Sequence, residues 1–218
     1  MLLDLDQGVG GNHAVHLVGL LRVMTALARD GSGMISIMTP LVFDAIVLAG
    51  GRGSRLGGID KSALVHRGST LLEHALESVA DARRVVVVGD RPPVDGALHA
   101  VEDPPGAGPA AAVAAGLAAL VDPAPLVAVL ASDVPEVVAA FAQLRALREP
   151  AVAVDPTGRR QHLLAMYPGP ELLARTQRGA QEGRSMRELV TGLAVREVHV
   201  GVDDVDHPED AARHGIHL

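Results

Sequence analysis

Residues 44–61 read Asp-Ala-Ile-Val-Leu-Ala-Gly-Gly-Arg-Gly-Ser-Arg-Leu-Gly-Gly-Ile-Asp-Lys. The stretch opens with a continuous apolar run, which is typical of a parallel strand that is buried on both faces. Five glycines follow, and glycine lets backbone N–H groups approach an anion closely because it has no Cβ. Arg55 and Lys61 add positive charge that suits phosphate oxygens. The stretch therefore predicts a buried strand that leads into a phosphate-binding loop, in preference to a flexible surface turn.

The spacing of the glycines excludes the two commonest phosphate-binding loops. A Walker loop requires Gly-x-x-x-x-Gly-Lys followed by Ser or Thr, but here two residues separate Gly58 from Lys61. A dinucleotide-binding fingerprint requires Gly-x-Gly-x-x-Gly, and its third glycine position is occupied by Leu56. The loop therefore belongs to another class.

From residue 41 onward, strand-like and helix-like segments alternate along the chain. This alternation predicts one three-layer α/β domain over residues 41–218, with a doubly wound and mostly parallel sheet. Ligands of such sheets bind beyond the carboxyl ends of the strands. The predicted strands are 44–49, 85–88, 99–102, 126–131, 151–155, 162–167 and 195–200, and the predicted helices are 70–80, 107–120, 136–147, 171–176, 185–192 and one that starts at 207.

The first 40 residues differ from the rest of the chain. Glycine-rich patches flank one apolar segment with a helical pattern, and methionines stand at positions 24, 34 and 38. This composition predicts a poorly ordered N-terminal extension over residues 1–40, or a start codon assigned too early. The alternative is a helix that docks on the domain or on a partner.

The composition narrows the class of protein. The chain has 218 residues, a formal net charge of −7 and no cysteine. These values argue against nucleic-acid binding through a basic face and exclude disulfides and cysteine-ligated metals. No apolar run reaches the roughly 18 residues that a membrane span needs, so we expect a soluble, cytoplasmic protein. The 19 Lys and Arg residues include one lysine, Lys61, which suggests a position that needs a compact ammonium group.

The glycine-rich loop matches a known family pattern, Leu-Ala-Gly-Gly-x-x-x-Arg-Met-Gly-Gly-x-Asp-Lys, with Leu56 in place of Met. In this stretch the chain resembles the molybdenum cofactor guanylyltransferases, a branch of the nucleotidyltransferase superfamily with a Rossmann-like fold. The resemblance implies that the loop wraps the triphosphate of a nucleotide, with Arg55 and Lys61 as basic phosphate contacts that act in catalysis. The implied nucleotide-binding positions in the loop are Leu48, Ala49, Gly50, Gly51, Gly53, Arg55, Gly57, Gly58 and Lys61.

A second match lies at residues 105–112, which read Pro-Gly-Ala-Gly-Pro-Ala-Ala-Ala. They resemble the Gly-Pro-Leu-Ala-Gly segment with which the family recognises the base, so Gly108 and Pro109 are implied in nucleotide binding. The family's Leu and second Gly are replaced here by Ala110 and Ala112. Both this segment and the first loop are of the guanine type, so the resemblance favours GTP over CTP.

A third match is Ser132-Asp133-Val134-Pro135, directly after a predicted strand. A carboxylate at the end of a strand, facing bound phosphates, is a place where a divalent metal is held. The segment resembles the family's Cys-Asp-x-Pro, which implies that Asp133 binds Mg²⁺. The alternative is that Asp133 caps the helix after Pro135.

A fourth match covers residues 204–209, Asp-Val-Asp-His-Pro-Glu, which resemble the family's Asn-x-Asn-Thr-Pro-Glu-Glu. Asp206 is expected to be the N-cap of the last helix, with Glu209 three positions into it. The resemblance also makes Asp206 a second candidate ligand for Mg²⁺.

Two segments concentrate hydrogen-bond donors in this acidic protein: Arg159-Arg160-Gln161-His162, and residues 183–187, which read Gly-Arg-Ser-Met-Arg. The first resembles the family's segment before a strand that faces the acceptor, and the second resembles the Gly-x-Arg-Ser-x-Arg that precedes a late helix in the family. Such donors suit an anionic acceptor. The alternative is that these arginines are solvated surface side chains.

The resemblance implies transfer of GMP from GTP to molybdopterin phosphate, with Mg²⁺ and release of pyrophosphate. An oxygen of the acceptor attacks the α-phosphorus in line, and no covalent intermediate with the protein is needed. The implied partners are GTP, molybdopterin and, transiently, molybdenum cofactor enzymes. The alternatives are a related enzyme that uses CTP or another phosphorylated acceptor, and an inactive nucleotide-binding regulator.

Overall fold

A computed structural model describes residues 27–29, 35–37, 40–50, 60–202, 205 and 207–216. The chain divides into two compact units, Met1–Leu41 and Val42–Leu218. In the first unit, β1 (Leu27–Arg29) pairs antiparallel with β2 (Ile35–Ile37). Apart from these two strands and Pro40, the predicted N-terminal extension lies outside the described residues.

The second unit alternates strands and helices, as the sequence predicts. Its strands are β3 (Phe43–Leu48), β4 (Val65–His66), β5 (Ser69–Thr70), β6 (Val85–Val88), β7 (Leu98–Ala100), β8 (Leu126–Ala131), β9 (Ala151–Val154), β10 (Arg160–Pro168) and β11 (Arg196–His199). Its helices are α1 (Leu71–Ser78), α2 (Pro109–Leu120), α3 (Val137–Ala146), α4 (Gly169–Thr176), α5 (Met186–Val190) and α6 (Pro208–Arg213), and a 3₁₀ turn covers Lys61–Ala63.

Seven strands form the central sheet, in the order β11-β9-β10-β8-β3-β6-β7. β3 lies in the middle and pairs in parallel with both β6 and β8. β7 continues the parallel side beyond β6, and β11 pairs in parallel with β9. β10 runs antiparallel to its two neighbours, β8 and β9. The predicted mostly parallel α/β sheet is thus confirmed, with β10 reversed within it.

Helices cover both faces of the sheet. On one face, α2 packs on β3, β6 and β7, and α4 and α5 pack on β10. α2 approaches the sheet closely because it consists largely of alanine: a Cβ on Gly116 would lie 2.8 Å from Cγ2 of Ile46. On the other face, α3 packs on β9 and β10, and the rings of Phe43 and Phe141 lie 6.1 Å apart. The core therefore has two apolar layers, one on each side of the sheet.

Local signals place α1 correctly. Thr70 accepts a hydrogen bond from the backbone N–H of Glu73, and the Glu73 carboxylate accepts one in return from the backbone N–H of Thr70. This capping box is the predicted one. The hairpin of β4 and β5 was not predicted, because its turn uses Arg67 and Gly68, both at positive φ, in place of the usual Asn-Gly pair.

A buried carboxylate joins three segments at the amino end of the sheet. Asp44 of β3 is 0% exposed, and its oxygens accept hydrogen bonds from the side chains of Arg83 and Arg84 and from the backbone N–H of Ala124. Burial raises the pKa of Asp44, but the hydrogen bonds from the two arginines and from Ala124 outweigh burial and lower it. Asp44 is therefore an ionised anchor on the side of the sheet opposite the strands' carboxyl ends.

Candidate functional site

A cleft of about 1300 Å³ opens at one edge of the sheet. The carboxyl ends of β3, β6, β7 and β8 meet there, together with the amino end of the reversed strand β10. The predicted site residues that line it are Leu48, Ala49, Gly50, Lys61, Gly108, Pro109 and Asp133. The predicted residues Gly51, Gly53, Arg55, Gly57, Gly58 and Asp206 lie outside the described residues.

Lys61 and Asp133 meet in this cleft although 72 residues separate them in the sequence. The ammonium Nζ of Lys61 donates to Oδ2 of Asp133 at 3.4 Å, and the two side chains are only 17% and 25% exposed. A cation and a carboxylate at one end of a nucleotide-sized cleft can bind phosphate oxygens and a divalent metal, respectively.

The 3₁₀ turn that carries Lys61 is held from both sides. Oδ1 of Asp60 accepts hydrogen bonds from the backbone N–H and the hydroxyl of Ser62, at 2.9 and 2.6 Å. Arg91, just beyond β6, donates from Nη1 to the Ser62 hydroxyl at 2.8 Å. These bonds fix where the Lys61 backbone enters the cleft, so the position of its side chain is set by two neighbouring loops.

Asp133 follows β8 directly, and the backbone on either side of it is fixed. The Ser132 N–H donates to the carbonyl of Leu48 on β3 at 3.0 Å. The Val205 N–H donates to the Asp133 carbonyl at 3.0 Å, so the C-terminal segment runs beside the site. The alternative role for Asp133 is wrong: α3 begins at Val137 with Glu136 as its N-cap, so Asp133 does not cap it.

The predicted capping role of Asp206 is also corrected. The last helix begins at Pro208 with His207 as its N-cap, and the His207 N–H donates to the carboxylate of Asp210 at 2.8 Å. The box is therefore shifted by one residue from the predicted Asp206 and Glu209. His207 takes the position because Pro208 has no N–H and suits the first helical residue.

The backbone segments that follow β3 and β6 approach each other closely at the base of the cleft. A Cβ on Gly89 would lie 2.9 Å from the carbonyl carbon and oxygen of Ala49, and one on Gly50 would lie 3.2 Å from Cα of Gly89. Real Cβ atoms do not lie 2.9 Å from backbone atoms, so position 89 requires glycine; at Gly50 a Cβ would force its neighbour to shift by a few tenths of an ångström. The glycine after β6 was not predicted as part of the site; the sequence signal was its place directly after a buried strand.

Two segments that the sequence analysis singled out, residues 105–112 after β7 and residues 183–187 after α4, are joined by a backbone hydrogen bond. Gly108 adopts a φ of +101° directly before Pro109, the first residue of α2. The Gly106 N–H donates to the Glu102 carboxylate, and the Gly183 N–H donates to the carbonyl of Ala107 at 2.8 Å. The loop before α2 and the loop before α5 therefore form one wall of the cleft.

Asp155 organises the turn between β9 and β10 and was not predicted as a site residue. Its carboxylate accepts hydrogen bonds from the hydroxyl and N–H of Thr157, the N–H of Arg159 and the side-chain amide of Gln161. The hydrogen bond from the Thr157 hydroxyl, followed by those from Arg159 and Gln161, lowers the pKa of Asp155 from 3.8 to about 2. The carboxylate therefore stabilises the fold above pH 3.8 and loses this contribution as the pH falls toward 2.

The donor-rich segments divide into two groups. Arg159, Arg160, His162 and Arg187 line the cleft, together with Gln161. Arg184 instead donates to the Gln181 side chain and to the Glu188 carbonyl, each at 3.1 Å, so it stabilises the start of α5.

The donor set at Asp133 fits Mg²⁺. Mg²⁺ is commonly held by one or two carboxylates, with substrate phosphates and water as its remaining ligands. A part-exposed carboxylate beside a cleft meets that requirement without a closed protein cage, and among the described residues no group of three or more His, Asp or Glu forms one.

Comparison with known proteins agrees with this geometry. The family model described as "MobA-like NTP transferase domain" matches residues 45–198. A molybdenum cofactor guanylyltransferase from Acidiphilium cryptum is 53% identical over 36 residues, which is 16% of this chain and 18% of that relative's length.

Solved structures show the same fold. Molybdopterin-guanine dinucleotide biosynthesis protein A from Archaeoglobus fulgidus is 20% identical, with a TM-score of 0.57 and coverage of 78% of this chain and 96% of that one. 2-C-methyl-D-erythritol 4-phosphate cytidylyltransferase from Thermus thermophilus is 23% identical, with a TM-score of 0.58 and coverage of 79% and 97%. Rv0371c from Mycobacterium tuberculosis, solved as a manganese complex, is 20% identical, with a TM-score of 0.59 and coverage of 80% and 98%. Among the described residues, no helix is long and apolar enough to cross a membrane.

Proposed function

The chain belongs to the family of MobA-like NTP transferase domains and is a nucleotidyltransferase; from this premise we propose that it transfers GMP from GTP to molybdopterin, with Mg²⁺ and release of pyrophosphate. The observation that carries the proposal is the pair of Lys61 and Asp133 at the carboxyl edge of the sheet, beside a cleft of nucleotide size. The name of the curated relative, which matches over 36 residues, and that of one structural neighbour support GTP and molybdopterin.

In the proposed reaction, an oxygen of the acceptor's phosphate attacks the α-phosphorus of GTP. A bond forms from that oxygen to the α-phosphorus, and the bond from the α-phosphorus to the bridging oxygen of the leaving pyrophosphate breaks. The Lys61 ammonium stabilises negative charge on the phosphate oxygens, because it is held in a partly buried position where electrostatic interactions are stronger than in water. Mg²⁺ bound by Asp133 would neutralise charge on the triphosphate.

The remaining binding roles are part of the same proposal. Gly50 and the loop glycines Gly51, Gly53 and Gly58 supply backbone N–H groups to the triphosphate, and Arg55 adds a second cation. Gly108 and Pro109 lie in the wall of the cleft that is formed by the loop before α2, and they contact the base. Asp206 is proposed as a second metal ligand. We propose that the reaction takes place in the cytoplasm and that the protein transiently contacts the molybdenum cofactor enzymes that use the product.

A nucleotide panel tests the base. With Mg²⁺ present, GTP at about a hundredfold its dissociation constant stabilises the folded state by roughly 2.7 kcal/mol, which raises the melting temperature of a domain of this size by about 5–10 °C. We expect GTP to give the largest rise among GTP, CTP, ATP and UTP at equal concentration, measured by thermal unfolding. A larger rise with CTP contradicts the guanine assignment, and the loss of the rise when EDTA is added is the control for the metal.

Pyrophosphate release tests the acceptor. With GTP and Mg²⁺, we expect release when molybdopterin is added and none with a sugar phosphate, phospholactate or cobinamide phosphate. Release with one of those three acceptors instead would identify a related transferase. Tight GTP binding without release in any mixture would favour a regulator that has the fold without the chemistry.

The N-terminal segment gives a separate prediction. We propose that residues 1–40 form an extension outside the catalytic domain of residues 41–218. Deleting residues 1–33 is expected to leave turnover within about twofold of the full chain, because the described residues that line the cleft all lie between 48 and 202. The measurement is the rate of pyrophosphate release by both chains; loss of folding in the shortened chain contradicts this division.

A further inference from the structure

Arg91 lies in the loop after β6 and contacts the turn that carries Lys61. Its Nη1 donates to the hydroxyl of Ser62 at 2.8 Å, and Ser62 is only 2% exposed. Because an arginine side chain has donors and no acceptor, the Ser62 oxygen accepts from Arg91 and gives its own proton to another group. The Asp60 carboxylate, at 2.6 Å, receives that proton. Hydrogen bonds therefore run in one direction, from Arg91 to Ser62 to Asp60, and we call these three residues the Arg91 network.

The two ends of the Lys61 turn are held in different ways. The end of the turn is fixed by packing, because Leu64 is 6% exposed within a small apolar cluster and its N–H donates to the Lys61 carbonyl at 3.2 Å. The start of the turn, at Asp60, is exposed, and the Asp60 carboxylate is held by the N–H and the hydroxyl of Ser62. The direction in which the Lys61 side chain leaves the backbone therefore depends on the Arg91 network.

The backbone of Arg91 is itself tied to the sheet. Its N–H donates to the Gly89 carbonyl at 3.0 Å, and Nε2 of His99 on β7 donates to the same carbonyl at 3.0 Å. The Gly89 N–H donates to the carbonyl of Ala100 at 3.0 Å, which extends the pairing of β6 with β7. Two strands of the central sheet thus fix the point from which the Arg91 side chain reaches Ser62.

The guanidinium of Arg91 is placed at a cost to stability. Its Nε is buried, and none of the described groups forms a hydrogen bond with it. A buried donor without a partner is unfavourable, and more so when the group is charged. Proteins tolerate such departures mainly at sites that serve function. The position of this one, beside the turn of Lys61, indicates that Arg91 serves the lysine and not the fold alone.

We propose that Arg91 is a positioning residue, which acts through Ser62 and Asp60 to hold the Lys61 ammonium beside Asp133 and in reach of the nucleotide's phosphates. This inference rests on the proposed nucleotidyl transfer. A misplacement of about 1 Å can cost about 10²-fold in rate, even when the substituted residue does not touch the substrate. Loss of Arg91 should therefore lower kcat more than it raises the KM for GTP, because Lys61 stabilises charge that develops in the transition state.

The first measurement needs no substrate. Lys61 is the single lysine of the chain, so protein grown on lysine labelled with ¹³C at Cε gives one lysine signal in a ¹H–¹³C NMR spectrum. In the unsubstituted protein, this signal should differ in chemical shift from that of free lysine, because the ammonium lies at Asp133 and is only partly exposed. In Arg91→Ala and in Ser62→Ala, the signal should move toward the chemical shift and the narrow line of a mobile lysine in water.

The second measurement is the rate of pyrophosphate release from GTP with Mg²⁺ and molybdopterin. Arg91→Ala should lower kcat about 10–30-fold and change the KM for GTP by less than about threefold. Arg91→Lys, which keeps a charged donor, should recover most of the loss. In protein that already carries Lys61→Ala, adding Arg91→Ala should lower the rate by less than about twofold, since residues that act through one another are not additive.

Arg178→Ala is the matched control, because Arg178 is an exposed arginine outside the cleft, and it should change neither the signal nor the rate. The proposal is overturned by an unchanged Lys61 signal in folded Arg91→Ala, or by losses of rate that multiply in the double variant. If Arg91→Ala does not fold, Ser62→Ala decides the question by the same two measurements. If the unsubstituted protein releases no pyrophosphate with any acceptor, the proposed function fails, and the NMR signal still decides whether Arg91 positions Lys61.

Discussion

Replacing Lys61 with alanine is expected to lower turnover by about 10²–10³-fold, the usual cost of removing one preorganised group that stabilises charge in a transition state. The melting temperature should stay within about 2 °C, because the ammonium is not part of the core and part-exposed ion pairs contribute little to folding. The measurement is the steady-state rate of pyrophosphate release beside a thermal unfolding curve. Lys61→Arg should recover only a small part of the loss, because a planar guanidinium cannot replace the compact ammonium.

Asp133→Asn is expected to lower turnover to a similar degree, since an amide is a poorer ligand for Mg²⁺ than a carboxylate. The rate of Asp133→Asn should recover in part at high Mg²⁺, whereas the rate of Lys61→Ala should not change with the Mg²⁺ concentration. Asp95→Asn removes the same charge from an exposed loop and serves as the control. A fall in the melting temperature that parallels the loss of rate in Lys61→Ala or Asp133→Asn would show that the pair serves the fold and not the chemistry.

Replacing Asp44 with asparagine is expected to destabilise the protein by about 3 kcal/mol, the lower end of the range for breaking a buried ion pair. The lower end applies because Arg83 and Arg84 are 41% and 33% exposed and can turn toward water once their partner is gone. For a domain of this size the loss corresponds to a fall in melting temperature of about 6–12 °C. Urea unfolding should show a lower midpoint with an unchanged slope.

The control for Asp44 is Asp81→Asn, which removes an ion pair with Arg145 in which both side chains are exposed and should cost less than about 1 kcal/mol. Acid gives a second check. The folded-state pKa of Asp44 is lowered, so its charge stabilises the fold above the ordinary value of 3.8 and loses this effect as the pH falls through the folded value. The difference between Asp44→Asn and the unsubstituted protein should therefore shrink below pH 3.8; a constant difference contradicts the assignment.

Much of the fold could be predicted because it depends on short patterns of residues that are neighbours in the sequence. Apart from Asp44, the runs that became β3, β6 and β8 are apolar throughout, as a sheet covered on both faces requires, and α1 has a capping box within four residues. The phosphate-loop pattern likewise lies in one short stretch, so a resemblance could be read from it directly. Patterns of this kind depend on neighbours in sequence, and no distant contact is needed to read them.

Pairings between distant segments could not be predicted in the same way. The reversal of β10 depends on its register with β8 and β9, and apolar runs look alike in either direction. The last helix has its cap at His207 and not at Asp206, a shift of one residue that is set by the placement of Pro208. The residue pattern therefore leaves the direction of β10 open, whereas the cap at His207 has a local cause in Pro208.

By itself, then, the sequence determined the strand and the glycine-rich loop of residues 44–61, the carboxylate after β8, and the α/β class of the domain, because each follows from residue type and spacing. Only the tertiary structure decided that Lys61 lies 3.4 Å from Asp133, that Asp155 holds the turn before β10, and that burial and nearby arginines lower the pKa of His162. The physical reason is that charge, burial and hydrogen-bond satisfaction depend on which segments the folded chain brings together. The sequence identifies which side chains are available to the site, and the packing of the folded chain determines their pKa values and their hydrogen-bond partners.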